Sequence, residues 1–184
     1  MNAFESTLAT FATRLHEAGV RYMVIGGFAN LHWGRARFTQ DLDVTVAVTE
    51  DALAGLMNAL APAFRSLVKD PVAFARETAL VPLESHTGIP IDMVLARLAL
   101  EHEAIARAIT IEVGDAAVQF ATPEDLILHK IISERPRDRE DIEGIVRRQR
   151  GKLELDYLRP RIRALSDALE RPTMVAEFER LISE

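Results

Sequence analysis

Two aspartates separated by a single residue, Asp41 and Asp43, are the first candidates for chemistry in this chain. They open the apolar run 44–48, which predicts a β-strand, and strand residues two apart point to the same face of a sheet. Their carboxylates should therefore project side by side, where like charges repel and raise each other's pKa unless a cation neutralises them. Hard oxygen ligands favour Mg²⁺ as that cation, with Mn²⁺ as the alternative.

A glycine pair, Gly26-Gly27, closes the preceding apolar run at 22–25, and Asp41 follows Gly27 by fourteen positions. Glycines at a strand-to-helix turn let backbone N–H groups approach a phosphate closely. A metal-binding acidic pair beside such a turn is what phosphoryl or nucleotidyl transfer requires. The alternative interpretation is that the glycine pair only forms a tight turn.

A third carboxylate, Asp92, interrupts the otherwise apolar strand pattern at 89–95. A buried carboxylate is costly unless it is paired or bound to metal. If this strand lies next to the strand that begins at Asp41, three carboxylates converge on one site. Two would hold a nucleotide-bound metal, and the third would help a second metal activate the attacking hydroxyl. Alternatively, Asp92 caps a turn or pairs with a neighbouring arginine.

Composition favours a small enzyme with a real core, since 48% of the 184 residues are apolar. The absence of cysteine excludes disulfides, zinc–thiolate sites and cysteine nucleophiles. No signal peptide or long apolar run is evident, so we expect a cytoplasmic protein without a membrane segment. The net charge is −6, yet residues 135–163 carry ten Lys/Arg against six Asp/Glu. This basic segment suits an anionic partner such as phosphate or RNA, or is simply a solvated helical face.

The hydrophobic pattern predicts an α/β front half (1–121) with a small mixed sheet, and a helical back half (122–184). Predicted strands are 22–25, 41–48, 79–83, 89–95, 109–113 and 118–120. A first helix ends near Gly19, and further helices are predicted at 28–33, 51–60, 98–108, 123–134, 138–150, 155–169 and 174–182. The two halves therefore differ in class, with the candidate carboxylates in the first.

The glycine pair, Asp41-Leu42-Asp43 and the later Asp92 resemble the signature of the polymerase-β-type nucleotidyltransferase superfamily. The string 37–43 resembles its minimal and AbiEii-like prokaryotic branch, which places an arginine and a Ser/Thr before the acidic pair. Lys130 followed by the cluster 135–141 resembles the second motif of that branch. The chain departs from the pattern where many members have Gly-Ser in place of the glycine pair, and where Lys often replaces Arg137.

The resemblance implies an α/β nucleotidyltransferase core with a C-terminal helical extension. It implies Mg²⁺-dependent transfer of a nucleoside monophosphate from an NTP such as ATP to a hydroxyl of RNA, a small molecule or a protein. It also implies tRNA as a candidate acceptor, a toxin role and an antitoxin partner. The implied metal ligands are Asp41, Asp43 and Asp92. The implied catalytic and nucleotide contacts beyond them are Gly26, Gly27, Arg37, Thr39, Lys130 and Asp141.

Each of these assignments has a simpler alternative. Arg37 is either a γ-phosphate contact or a brace for Asp41, and Thr39 favours a local bond to the backbone. Lys130 lies in a helix that is apolar almost all round, so it either snorkels or lies in a cleft to meet phosphate or acceptor. Asp138 and Asp141 have the spacing of the N-cap and N3 residues of the following helix.

The function has alternatives as well. The chain is either an active transferase, a catalytically silent nucleotide-binding regulator, or a metal-dependent phosphohydrolase that uses the same carboxylates. The first releases pyrophosphate. The silent regulator binds Mg²⁺–NTP but releases no pyrophosphate. The phosphohydrolase releases orthophosphate or a nucleoside monophosphate without labelling an acceptor.

Overall fold

The computed structural model of the protein describes residues 2–183 and divides them into two compact units. The first unit comprises the chain up to Phe28 together with Phe38–Ala121. The second comprises Ala29–Arg37 and the chain from Thr122 onwards. Within residues 2–183, no helix has both the length and the apolar character that crossing a bilayer needs.

A seven-stranded mixed sheet forms the centre of the first unit. The strands are β1 Arg21–Val24, β2 Leu42–Ala47, β3 Phe64–Ser66, β4 Leu80–Ser85, β5 Pro90–Leu95, β6 Ile109–Val113 and β7 Ala116–Phe120. Their order in the sheet is β3-β4-β5-β2-β1-β7-β6, with parallel pairing of β2 with β5 and of β1 with β7. The pairs β4–β5 and β6–β7 are antiparallel, and the predicted mixed α/β class is confirmed.

Five helices begin within the first unit among the described residues. They are α1 Ala3–Glu17, α2 Gly26–Trp33, α3 Glu50–Leu60, α4 Pro71–Thr78 and α5 Ala99–Arg107. Helix α1 packs on β1, β6 and β7, and α5 packs on β1 and β2. The sequence pattern missed β3 and α4, because each buries a single residue, Phe64 and Ala75, and so lacks an apolar period.

Side chains alternate between the two faces of the sheet along β2, and this alternation sets the direction of the Asp43 carboxylate. Leu42, Val44 and Val46 point to one face and are fully buried, whereas Asp43 points to the other face. On that second face, α5 packs near the far end of β2, around Met23 and Ala47. Asp43 lies at the opposite end of β2 and is only half-buried.

Among the residues that the structure describes, four helices form the second unit together with residues 29–37. They are α6 Pro123–Ile131, α7 Pro136–Arg148, α8 Leu155–Ala168 and α9 Thr173–Ser183. The predicted start of α6 is confirmed, since the Thr122 side chain accepts the N–H of Asp125 and Pro123 occupies the first turn. The predicted start of α7 at Asp138 is wrong. Pro136, whose fixed φ suits the first helical position, begins the helix two residues earlier, after the N-cap residue Arg135.

Candidate active site

Three carboxylates meet where β2 and β5 begin. The parallel register sets Asp43 directly opposite Asp92, so that both side chains point to the same face of the sheet. Asp41 lies immediately before β2. One oxygen from each of the three groups lies within 4.8 Å of the others. The convergence predicted from the sequence is confirmed.

The three carboxylates are half-buried and share one space. Burial, and then the charge of Asp41, raise the pKa of Asp92 above its usual value. Asp41 accepts a hydrogen bond of 3.1 Å from the Thr39 hydroxyl. Within residues 2–183, neither Asp41 nor Asp92 forms an ion pair with a lysine, arginine or histidine. A cation bound beside Asp41 and Asp92 would relieve the repulsion between them.

The donor set fits a hard divalent cation. All three ligands are carboxylates, with oxygen atoms close enough to share one ion or two adjacent ions. The alternatives for Asp92, a turn cap or an arginine partner, are wrong, because it lies within β5 and forms no such pair. Asp41, Asp43 and Asp92 could thus hold Mg²⁺ or Mn²⁺.

The glycine turn is built around one of these carboxylates. Gly26 has a φ of +64°, and a Cβ atom added there would overlap the Asp43 carboxylate. Only glycine satisfies both the backbone conformation and the close approach. The Ile25 N–H donates to the Asp43 carbonyl at 2.9 Å. Gly26 and Gly27 open α2, so backbone N–H groups of the first turn remain available for an anion.

The loop between these elements carries two predicted contacts. The Thr39 hydroxyl bonds the backbone carbonyl and the carboxylate of Asp41, both at 3.1 Å, so the local bond that the residue type favours is present. The Arg37 guanidinium does not brace Asp41. It binds Asp141 instead, with Nε at 2.9 Å from Oδ1 and Nη2 at 3.0 Å from Oδ2.

The Lys130 ammonium does not snorkel to solvent, since its side chain is only 6% exposed. Its predicted contact with phosphate or acceptor stays a prediction. The ammonium donates to Asp138 at 3.1 Å and to Asp141 at 2.7 Å. A buried ammonium needs such partners because an unpaired one is costly.

Asp138 and Asp141 do not form the capping pair that their spacing suggested. Asp138 is the third residue of α7, and Asp141 lies farther along the helix. Burial acts to raise the pKa of Asp138. Hydrogen bonds from Ser133, Lys130 and Arg135, with the Lys130 charge, outweigh burial and hold that pKa below its usual value.

One residue of this second cluster was missed in the sequence. Asn30 is fully buried on α2 and donates from Nδ2 to Asp141 Oδ1 at 2.9 Å. The available signal was a single amide among the apolar residues 28, 29 and 31 of a short helix. Its partner lies 111 residues away in the sequence, and no local pattern indicates such a pairing.

Comparison with solved structures finds the same fold in several nucleotidyltransferases. The solution structure of the antibiotic-resistance factor ANT(2'')-Ia is similar at a TM-score of 0.60 and 18% identity, over 92% of this chain and 96% of that one. Lincomycin-bound LnuA, a lincosamide antibiotic adenylyltransferase, is similar at a TM-score of 0.56 and 13% identity, over 79% of this chain and 98% of that one. An antigenic nucleotidyltransferase-like protein from Paracoccidioides brasiliensis is similar at a TM-score of 0.55 and 13% identity, over 95% of this chain and 91% of that one.

Comparison of the sequence itself gives one family. A family model described as nucleotidyltransferase of unknown function (DUF6036) matches residues 6–180. That match includes the glycine turn, the three carboxylates and the cluster around Lys130. No curated protein matches the sequence.

Proposed function

The chain belongs to the family of nucleotidyltransferases of unknown function (DUF6036), and from that premise we propose that it transfers a nucleoside monophosphate from an NTP to a hydroxyl acceptor. The observation that carries the proposal is the convergence of three carboxylates within 4.8 Å beside a glycine turn. Neither a bare acidic pair nor a glycine turn alone would support it. Their occurrence together, on a nucleotidyltransferase fold, does.

Asp41 and Asp43 are proposed to hold Mg²⁺ or Mn²⁺, with Asp92 as the third ligand. Bound there, the ion would neutralise charge on the triphosphate and on the developing transition state. The residues of the chain provide the positioning. Thr39 fixes the orientation of the Asp41 carboxylate through its hydroxyl, and Gly26 permits Asp43 to pack against the turn.

The proposed reaction is an in-line displacement at the α-phosphorus of the NTP. The acceptor oxygen forms a new bond to that phosphorus, the bond to the bridging oxygen of the β-phosphate breaks, and pyrophosphate leaves. Asp92 assists removal of the hydroxyl proton from the acceptor. Catalysis of this kind depends mostly on positioning and on charge stabilisation.

The triphosphate is proposed to bind the backbone N–H groups of the Gly26-Gly27 turn. The family resemblance also implies the guanidinium of Arg37 as a nucleotide contact. Lys130 and Asp141 are proposed to act together with Arg37, since Asp141 pairs with both cations. Because their charged groups are buried and paired with each other, we assign them the positioning of Arg37 rather than direct contact with the reacting atoms. Arginine suits a phosphate contact since its planar fork offers several donors at once.

The proposed acceptor is a hydroxyl on a small molecule or on RNA. The similar structures of ANT(2'')-Ia and LnuA are named for antibiotic resistance and for adenylyl transfer to a lincosamide antibiotic. The resemblance to AbiEii-like proteins favours RNA, a toxin role and an antitoxin partner. The two classes of acceptor predict different labelled products, which one assay can separate.

That assay measures pyrophosphate release from each of the four NTPs with Mg²⁺, in the presence of total tRNA, tobramycin or lincomycin. Asp43→Asn serves as the inactive variant. Asp115→Asn is the matched control, because Asp115 is an exposed aspartate in the β6–β7 turn. Release that requires both an acceptor and Asp43 supports the proposal, and the labelled acceptor identifies the substrate class.

Two outcomes would replace the proposal. Binding of Mg²⁺–NTP without pyrophosphate release would indicate a catalytically silent regulator. Release of orthophosphate or of a nucleoside monophosphate, with no acceptor labelled, would indicate a phosphohydrolase.

A further inference from the structure

The hydroxyl of Thr45 lies in the middle of the sheet with its hydrogen-bonding capacity unused. Thr45 is the fourth residue of β2 and is 1% exposed. Its Oγ1 atom is buried and forms no hydrogen bond within residues 2–183. Buried hydroxyls are normally paired, because an unsatisfied one loses its bonds to water without replacing them. The packing of the sheet therefore gives no reason for this hydroxyl.

Strand formation does not require threonine at this position either. Valine has nearly the same branched shape and is equally common in strands, but it carries no polar atom. The residues paired with Thr45 on the neighbouring strands, Met23 on β1 and Val94 on β5, are both apolar. A valine would pack against them without leaving a hydroxyl unsatisfied. Position 45 thus bears a threonine at a cost in stability.

Strand geometry places Thr45 next to the three carboxylates, within the first unit. Residues two apart on a strand point to the same face, so Thr45 shares a face with Asp43. Asp92 pairs with Asp43 across β2 and β5 and occupies that face as well. Thr45 has two neighbours along β2 on this face. Ala47 is apolar and packs against a cluster that includes Met23, whereas Asp43 carries a carboxylate that can accept a hydrogen bond.

A second threonine shows what a hydroxyl does beside these carboxylates. Thr39 precedes Asp41 by two residues, and its hydroxyl bonds the Asp41 carboxylate at 3.1 Å. Thr45 follows Asp43 by the same spacing, so a threonine flanks the acidic pair on each side. Carboxylates that bind a metal ion are usually held by such hydrogen bonds, which fix their orientation and raise metal affinity. The equivalent role for Thr45 is support of the Asp43 carboxylate.

We propose that Thr45 is a positioning residue of the metal site: its hydroxyl donates to the Asp43 carboxylate, directly or through one buried water molecule, when Asp43 binds Mg²⁺ or Mn²⁺. A threonine hydroxyl can rotate towards an acceptor, and a bridging water is nearly as favourable as a direct hydrogen bond. The inference rests on the proposed function and deepens it, because it assigns to the metal site a residue other than the three carboxylates. A purely structural Thr45 would affect stability alone.

The test measures Mn²⁺ binding, which requires neither nucleotide nor turnover. The electron paramagnetic resonance signal of free Mn²⁺ gives the affinity of wild type, Thr45→Val and Thr45→Ser, and the melting temperature of each protein is measured in EDTA. Thr45→Val should bind Mn²⁺ about 10-fold more weakly, the scale of losing a hydrogen bond to a metal ligand. It should nevertheless melt no lower than wild type, because the unsatisfied hydroxyl is removed.

Thr45→Ser should reverse both effects. It keeps the hydroxyl and should bind Mn²⁺ within about 2-fold of wild type, whereas loss of the buried methyl group should lower its melting temperature. The matched control is Thr110→Val, because Thr110 lies on the edge strand β6 and its hydroxyl bonds the Gln119 side chain. That control should leave Mn²⁺ affinity unchanged. If Thr45→Val does not fold, Thr45→Ala is compared with Thr45→Ser, since these two differ only in the hydroxyl.

The outcomes separate this inference from the proposed function. Wild-type Mn²⁺ affinity in Thr45→Val, or equal affinities with and without the hydroxyl, would overturn the inference alone if binding still requires Asp43. Wild-type protein that binds no Mn²⁺, or binds it no better than Asp43→Asn, would overturn the inference and the metal site of the proposed function together. Mn²⁺ binding that needs both Asp43 and the Thr45 hydroxyl, without pyrophosphate release from any NTP, would support the inference and remove the transferase.

Discussion

Carboxylates cluster twice in this chain, in different surroundings. In the first unit, Asp41, Asp43 and Asp92 share a half-buried space, and the pKa of Asp92 is raised by burial and by Asp41. In the second unit, Asp138 and Asp141 are almost fully buried. There the pKa of Asp138 is lowered, because hydrogen bonds and cationic neighbours outweigh burial.

The difference lies in where the compensating positive charge comes from. Lys130, Arg37 and Arg135 supply three cations to the two carboxylates of the second cluster. Among residues 2–183, neither Asp41 nor Asp92 is paired with a lysine, arginine or histidine, and we propose that a bound cation compensates their charge. Acids of one chain can thus differ in role: we propose the half-buried cluster as a ligand set for a cation, whereas the buried cluster is paired with cations of the chain itself.

The largest expected effect is a loss of activity when a carboxylate of the first cluster is removed. Asp43→Asn should lower the rate of pyrophosphate release about 10³-fold, the scale seen when a group that stabilises developing charge is removed. Its free energy of unfolding should not fall, because the substitution relieves repulsion. Steady-state assays and urea unfolding measure the two quantities, with Asp115→Asn as the control. Wild-type turnover in Asp43→Asn would contradict the assignment.

Removing a carboxylate of the second cluster should lower the free energy of unfolding. Asp141→Asn leaves Lys130 without its closest counter-charge, and breaking a buried ion pair costs about 3 kcal/mol. Urea unfolding should register that loss. Glu179→Gln is the matched control, since the Arg159–Glu179 pair is exposed on α8 and α9 and should contribute little. A loss in Asp141→Asn no greater than in the control would show that the second cluster is not a brace.

Magnesium should act on the first cluster alone. At 10 mM Mg²⁺, a site with a dissociation constant of about 1 mM adds roughly 1.4 kcal/mol to the free energy of unfolding. Wild type and Asp141→Asn should both gain this increment in thermal unfolding, and Asp41→Asn should not. An equal gain in all three proteins would place the metal elsewhere.

The smallest expected effects concern pH and have opposite signs. In metal-free buffer, Asp92→Asn should raise the free energy of unfolding on the order of 0.5 kcal/mol at neutral pH, since partly exposed charge pairs contribute little. Because the folded-state pKa of Asp92 is raised above 3.8, this gain should disappear as the pH falls through that pKa.

Asp138→Asn should show the reverse pattern. The folded-state pKa of Asp138 lies below 3.8, so its ionised form stabilises the fold above that value, and the stabilisation is lost as the pH falls through the folded pKa. The variant should therefore be less stable than wild type at neutral pH, and the difference should shrink below about pH 4. Urea unfolding between pH 7 and pH 3 measures both variants, and curves of the same sign would contradict the comparison.

The first cluster was predictable because its signals are local. Asp41 and Asp43 precede an apolar strand, and Asp92 interrupts another, so strand periodicity alone predicts which way they point. Only the adjacency of β2 and β5 had to be assumed, and the parallel register confirms it. The glycine pair marked the turn, although its overlap with Asp43 could not be deduced from spacing.

The second cluster was not predictable in the same way. Arg37 and Asp141 pair across 104 positions and Asn30 and Asp141 across 111, and a single sequence carries no record of such partners. The preference of aspartate for the N-cap position favoured capping for Asp138. That interpretation is wrong because α7 begins two residues earlier, at Pro136. Long-range polar pairing depends on tertiary packing, which propensity and period do not encode.

The membership of residues 29–37 in the second unit has a consequence for cutting the chain. A fragment that stops at Ala121 would keep every strand of the sheet and all three carboxylates. It would lose Asp141, Ile145 and Arg148, against which the 29–37 segment packs and bonds. That segment lies in the sequence between the glycine turn and Asp41. Cleavage after residue 121, or expression of 1–121 alone, should therefore leave residues 29–37 without the contacts that hold them, and so loosen the connection between the glycine turn and Asp41.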